Sequence, residues 1–199
     1  QITPNFLNNT LDSIIWMAEG RKYEEVVLMT ASLARLLRQS ISNEDEVVPL
    51  AREVEYAKGY LTIQKMRYKD KLEFEIDVEP SILNIPLIKL VLQPIIENAI
   101  YHGLKYKESK GLLQVKGFMK DGNAVLQVID NGVGMDEETL SHIYDKHKVN
   151  YHSNGVGVYN VQKRLKLYYG ENYGITYESE KGVGTTATIT IPGIQEESI

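Results

Sequence analysis

Asp130-Asn131-Gly132-Val133-Gly134-Met135 follows directly on the run AVLQVID (residues 124–130), and reading these two stretches together decides the fold. The run reads as a strand, and LLQVKGFM (112–119) before it reads as another. Between them lie Lys120, Asp121, Gly122 and Asn123, and Asp-Gly suits a tight hairpin turn that needs positive φ. Asp130 is therefore a carboxylate fixed at a strand end. Such a group can accept a hydrogen bond from an exocyclic amine, and the glycines at 132 and 134 remove side chains so that a flat base can lie close to backbone. Taken alone, Asp-Asn-Gly is equally a simple turn.

Its neighbours on both sides narrow the choice. Upstream, Asn98, His102 and Lys105 stand four and three residues apart in a helical stretch and project to one side, offering an amide oxygen for a metal and two donors for phosphate oxygens. That helix is expected to begin near Pro86. Downstream, Gly155 and Gly157 immediately precede a helical run to Tyr169, whose N-terminal N–H groups favour an anionic phosphate. Gly182 and Gly184 precede Thr185 at the start of a final strand, TTATITI (185–191). With LEFEIDV (72–78) and ITYESE (175–180), the pattern predicts an α/β fold, a two-layer sandwich of a sheet with about three helices on one face.

The first 45 residues have a different character. Phe6, Leu7, Leu11, Ile14, Ile15 and Ala18 form one helical stripe, and Val26, Val27, Leu33, Leu36 and Leu37 form a second after a polar turn. The pair makes a helical hairpin whose apolar stripes need covering, either by dimerisation into a bundle or by packing on the rest of the chain. A linker at 42–48 leads into a helix from Pro49 to about Tyr68, so the chain divides into a hairpin at 1–45 and a connecting helix plus sandwich at 46–199.

Composition excludes several function classes. With 43% hydrophobic and 25% charged residues and a formal net charge of -5, the chain has an ordinary globular balance and no basic face for nucleic acid. The absence of cysteine removes disulfides and thiolate chemistry and agrees with a reducing compartment. No apolar run reaches the ~20 residues that span a bilayer. The chain opens at Gln1 with a motif already under way, which is expected of a piece cut from a longer protein.

Taken together, the motifs resemble the GHKL ATP-binding fold and, within it, the LytS/YesM-type sensor histidine kinases. QITPNFLNNTL (1–11) is similar to that family's acceptor motif, VPLAREVEYAKGYLTIQKMRY (48–68) to its connecting helix and LVLQPIIENAIYHG (90–103) to its N box. DNGVGM (130–135), GVGVYNVQKRLKLYYG (155–170) and GVGTTATITIP (182–192) are similar to its three glycine boxes. The resemblance implies that Asp130 receives the adenine amine, that Gly132 and Gly134 admit the base, and that Asn98 binds the Mg²⁺ bridging the phosphates of ATP. It further implies that His102 and Lys105 steady phosphate oxygens and that residues 136–154 form a lid carrying Lys146 and Lys148. Gly155 and Gly157 would end that lid at the phosphates, with Thr185 near the base. Asn160 and Arg164, also in the motif, are expected to be structural. The implied partners are a second copy through the N-terminal helices and a response regulator, and the implied location is the cytoplasmic portion of a membrane protein whose anchor lies upstream.

One position departs from the family in a way that bears on chemistry. Where the family keeps its phosphate-accepting histidine this chain has Asn5, and an amide nitrogen, its lone pair delocalised, cannot attack phosphorus as an imidazole does. Asn8 is a second departure, from an aromatic. His142, His147 and His152 lie on or beside the lid and are not placed for in-line transfer. Three activities therefore compete. They are a kinase whose acceptor is replaced here, a nucleotide-binding pseudokinase, and an ATPase, for which Glu97 is a possible base and Pro94 stands where related ATPases keep an acid.

Overall fold

The computed structural model describes residues 4–41, 46–144 and 155–193. Two helices, α1 (Pro4–Glu19) and α2 (Tyr23–Ile41), turn on Gly20 and Arg21, the latter at φ 56°, and form the expected hairpin. A short strand β1 (Val47–Pro49) leads into α3 (Leu50–Tyr68), onto which the hairpin packs. Phe6 of α1 stacks on Tyr60 of α3 with ring centroids 4.7 Å apart, and Leu33 and Leu36 of α2 are buried in the same core. A Cβ added at Gly59 would lie 3.2 Å from Leu36 Cδ2, so the absent side chain lets α2 ride close on α3. One stripe of the hairpin is thus covered within the chain. Leu11, Ile15, Trp16, Val27 and Leu28 remain exposed on it.

After α3 come β2 (Leu72–Val78), β3 (Pro86–Ile88), α4 (Leu92–Asn98) and a π-helix at Ala99–Leu104. The hairpin strands β4 (Gly111–Lys120) and β5 (Asn123–Asp130) meet at Asp121 and Gly122, both at positive φ (51° and 79°) as a two-residue primed turn requires. Helices α5 (Glu137–Ser141) and α6 (Gly155–Tyr169) and strands β6 (Gly174–Glu180) and β7 (Gly184–Pro192) complete the described chain. The large sheet runs in the order β2-β4-β5-β7-β6, with β2 and β4 parallel and the other pairs antiparallel, while β1 and β3 form a separate antiparallel pair. Burial alternates along β4 and β7, so one face of the sheet takes the core. Ile95, Ile96 and Ile100 from the α4 region and Val161 and Leu165 from α6 pack against that face beside Leu113, Leu126 and Ile189. The architecture is the α/β sandwich expected from the sequence.

The structure corrects the expected start of the helix near Pro86. Residues Pro86–Ile88 pair with β1 instead, Leu90 takes φ 62°, and the helix begins only at Leu92, with Pro94 in its first turn where its missing N–H costs nothing. What fixes this start is Glu53 on α3, a buried side chain not singled out in the sequence. Its Oε1 accepts from Leu90 N at 2.8 Å, and its Oε2 accepts from Val91 N and Leu92 N, each at 2.9 Å. Arg164 of α6 donates to Lys89 O at 2.8 Å, which gives that arginine the structural role expected of it. Glu53→Gln is expected to lower stability by about 1–3 kcal/mol, because the amide sets an N–H₂ against backbone donors in a buried site. A urea titration checks this, and an unchanged midpoint would mean that the three N–H groups do not depend on the carboxylate.

Candidate functional site

A cavity of about 760 Å³ opens between the α4 region and the sheet, lined among others by Asn98, His102, Asp130, Gly134, Tyr177 and Thr185. Asp130 ends β5 on its floor at 6% exposure and accepts from Gly132 N at 2.8 Å. Burial pushes its carboxyl up from the ordinary 3.8 to about 6, against the backbone hydrogen bonds of Gly132 and Thr185 and the charge of Lys107.

The glycines around it serve close approach of backbone. A Cβ at Gly132 would fall 2.3 Å from Gly103 O, and one at Gly103 would fall 2.7 Å from Asp130 Oδ1. Gly134, at φ 64°, leaves no room either, since its Cβ would meet Glu180 O at 2.0 Å. The segment is pinned from both sides, Val133 N donating to Gly103 O at 3.0 Å and Gly182 N to Val133 O at 2.7 Å. Gly134 lines the cavity; the space a side chain at Gly132 would need belongs to the π-helix.

Asn98, the last residue of α4, lines the cavity with Oδ1 buried and without a hydrogen-bond partner among the described residues. Such an orphaned acceptor is costly unless a ligand or cation completes it. No cluster of three or more His, Cys, Asp or Glu suited to hold a metal by themselves occurs among the described residues. An oxygen-seeking ion here would take this one amide oxygen and draw the rest of its shell from a bound anion and water, as Mg²⁺ does at phosphates. The residues present fit that use.

His102 lines the cavity with its side chain exposed, and partial desolvation there together with the charge of Lys105 holds its imidazole below the ordinary range, hence neutral near pH 7. Lys105 itself is not among the lining residues. The intervening π-helix, in which Lys105 N bonds back to Ile100 O, alters the helical phase, and the ammonium lies over the rings of Tyr101 and Tyr106, 6.0 and 5.6 Å from their centroids. Glu97 also points away from the cavity. Its Oε1 accepts from Gln93 Nε2 at 2.9 Å, its carboxyl is raised by burial, and its charge bears on the buried Tyr60 of α3.

Thr185 pairs in register with Asp130, and its Oγ1 lies 2.8 Å from Ser179 Oγ, which accepts from Met135 N. Gly155 and Gly157 stand in the first turn of α6, and a Cβ at Gly157 would come 3.3 Å from Pro94 Cβ. Asn160 is exposed, as is Asn5, which sits in the first turn of α1 and accepts from Asn9 Nδ2 at 3.2 Å. The expected lid begins at Asp136, the N-cap of α5, which accepts from Thr139 N; Lys146, Lys148, His147 and His152 lie outside the described residues. Sequence reading passed over Tyr177 in the cavity wall, since one aromatic residue in a strand carries no motif.

Comparison with known proteins gives a consistent result. Residues 1–72 match the family model described as histidine kinase, and residues 84–195 match that of the histidine kinase-, DNA gyrase B- and HSP90-like ATPases. The chain is 34% identical over 192 residues to the sensor histidine kinase YesM of Bacillus subtilis (strain 168), covering 96% of this chain and 32% of YesM. It is 32% identical over 177 residues to the sensor protein LytS of Oceanobacillus iheyensis, covering 86% of this chain and 30% of LytS. It thus spans about a third of the length of these relatives. In fold it is similar to the histidine kinase domain of the blue-light activated kinase of Erythrobacter litoralis (TM-score 0.53, 16% identity, 84% of this chain and 72% of that one). It is likewise similar to the catalytic domain of histidine kinase ThkA (TM-score 0.56, 16% identity, 75% of this chain and 99% of that one).

The raised carboxyl of Asp130 has a measurable cost. Between about pH 4 and 6 the folded chain holds a proton that the unfolded chain has released, so stability falls as pH rises through this window and stays lower above it. The shift of roughly two pH units corresponds to about 3 kcal/mol as an upper bound. Asp130→Asn is therefore expected to make the ligand-free protein more stable than the parent at pH 8 and to flatten this part of the pH profile. Chemical denaturation from pH 4 to 8 checks it, and equal slopes for the two proteins would contradict the assignment.

Proposed function

This chain belongs to the sensor histidine kinases that carry the ATPase domain shared with DNA gyrase B and HSP90, and on that premise we propose that it binds Mg·ATP in the 760 Å³ cavity as the catalytic portion of a two-component kinase. The observation that carries the reading is Asp130, a carboxylate buried in the wall of a mostly apolar cavity, where an adenine amine would find its acceptor. Ionising it costs the free protein stability, and a bound hydrogen-bond donor would return part of that cost. Asn98 Oδ1 would hold the Mg²⁺, whose role is to neutralise charge on the phosphate oxygens. Neutral His102 would donate to a phosphate oxygen, and the N-terminal N–H groups of α6 at Gly155 and Gly157 would receive others. Lys105 could reach them only by leaving its two aromatic rings, and Thr185 would stand at the edge of the base.

In an acceptor-competent relative the reaction is in-line transfer. A neutral imidazole nitrogen forms the N–P bond, the bond from the γ-phosphorus to the bridging oxygen breaks, and ADP leaves; the phosphoryl group then passes to an aspartate of a response regulator. With Asn5 at that position this chain would bind nucleotide without labelling itself, which favours, as a second reading, a pseudokinase that signals through conformation. Hydrolysis is the weakest reading, because Glu97 is turned toward α3 and Pro94 supplies no base. The exposed apolar face of the hairpin suits a homodimer. No helix among the described residues is long and apolar enough to cross a membrane, and the reading places any anchor elsewhere in a longer sensor, with this part in the cytoplasm.

Transfer of labelled γ-phosphate from Mg·ATP tests the proposal. The parent is expected to remain unlabelled, and Asn5→His is expected to acquire an acid-labile label. If both bind ATP and neither is labelled, the pseudokinase reading replaces the kinase one. For the metal, Asn98→Ala is expected to lower ATP affinity in Mg²⁺ on the order of tenfold, the worth of one charge-assisted contact of about 1.5 kcal/mol, with little change in EDTA. An equal loss in both buffers, read by calorimetric titration, would remove Asn98 from the metal role.

A further inference from the structure

Two rows of side chains cross the cavity floor. Register places Asp130, Thr185 and Ser179 in one row, and Val128, Ala187 and Tyr177 in the next, two residues deeper on the same face. The hydroxyls of the first row are engaged, Ser179 Oγ lying 2.8 Å from Thr185 Oγ1 and 3.0 Å from Gly184 O. The second row contains one polar atom beyond the backbone, the phenol oxygen of Tyr177. It is buried and has no hydrogen-bond partner among the described residues, although its ring lines the cavity.

The ring is held in place. Tyr144 packs its edge against it, with centroids 6.1 Å apart and planes at 63°, and the Tyr144 hydroxyl is itself fixed by donating to Ile175 O at 2.5 Å. Burial, followed by the nearby Tyr144 hydroxyl and Asp130 carboxylate, holds the Tyr177 phenol well above its ordinary range, so the group is neutral and able to donate. An unpaired buried hydroxyl costs free energy, and in a cavity of this size a ligand acceptor is its natural complement.

We propose that Tyr177 is a specificity-determining residue of the nucleotide site, its phenol O–H donating to a purine ring nitrogen that flanks the exocyclic amine held by Asp130. This rests on the reading of the cavity as an ATP site. Asp130 accepts and Tyr177 donates, which matches the donor–acceptor pair on either edge of adenine, its amine beside N1 or beside N7. The 6-oxo purines present an acceptor where Asp130 needs a donor. Ala187, between Val128 and Tyr177 in the row, keeps the floor low enough for the ring to approach both groups.

The test is calorimetric titration of the 199-residue chain with Mg·ATP and with its 1-deaza and 7-deaza analogues, on the parent and on Tyr177→Phe. The variant keeps the ring and its contact with Tyr144, and is expected to bind ATP about two- to tenfold more weakly, the worth of one neutral hydrogen bond. One of the two analogues should bind the parent more weakly by a similar factor, and that difference should vanish in the variant. Unchanged ATP affinity in Tyr177→Phe, or a parent that binds both analogues as tightly as ATP, overturns the proposal; the second arm needs no mutant and so does not depend on how the variant folds. If Asp130→Asn weakens ATP binding while Tyr177→Phe does not, this inference fails and the ATP site stands. A parent that binds no ATP overturns both.

Discussion

A single carboxylate, Glu53, ties the halves of the structure together. It projects from α3 and accepts from three successive backbone N–H groups at residues 90–92, so the α4 region begins where α3 dictates. The N–H groups of Val91 and Leu92 are ones that a helix start leaves without intrahelical partners, and their dipoles favour an anion. Burial raises the carboxyl of Glu53, while the three hydrogen bonds and the charge of Arg164 oppose the rise. Arg164 reaches the same corner from α6 by bonding Lys89 O. Helices α3, α4 and α6 therefore meet at one charged corner.

The cavity gathers the groups that folding leaves dissatisfied. Asp130 is a buried acid with its ionised form disfavoured, and among the described residues Asn98 Oδ1 is an acceptor without a donor and Tyr177 offers a hydroxyl without an acceptor. Buried polar groups are normally paired, so two orphaned atoms beside a buried carboxylate in one cavity are what the proposed ligand would complete. The glycines make this possible by allowing the segment after β5 to lie against Gly103 on one side and the β6–β7 turn on the other, which fixes Asp130 without side-chain bulk.

The hairpin divides its apolar residues between two destinations. Phe6, Leu33 and Leu36 enter the common core through α3, whereas Ile15, Trp16 and Val27 face outward. Covering the stripes by intrachain packing and covering them by a second copy were alternatives in the sequence; the structure assigns the first to one face and leaves the other open. Asn5 stands exposed one residue before Phe6, whose ring is stacked on Tyr60.

Residue patterns alone determined the α/β sandwich, the helical hairpin, the Asp121-Gly122 turn and the strand-end position of Asp130, because each rests on short-range periodicity or on backbone conformations that only certain residues adopt. The order of the glycine motifs also carried the resemblance to the ATPase family whose model the chain matches. Only the tertiary structure decided the rest. Helical spacing put Lys105 beside Asn98 and His102, but the π-helix changes the phase, and no residue preference announces that change. Glu97 could have faced either way until α3 packed against it. Glu53 bonds backbone 37 to 39 residues away, and Tyr177 shares a floor with Asp130 through two intervening strand registers. Contacts of that range depend on how elements are stacked, which local sequence does not encode one residue at a time.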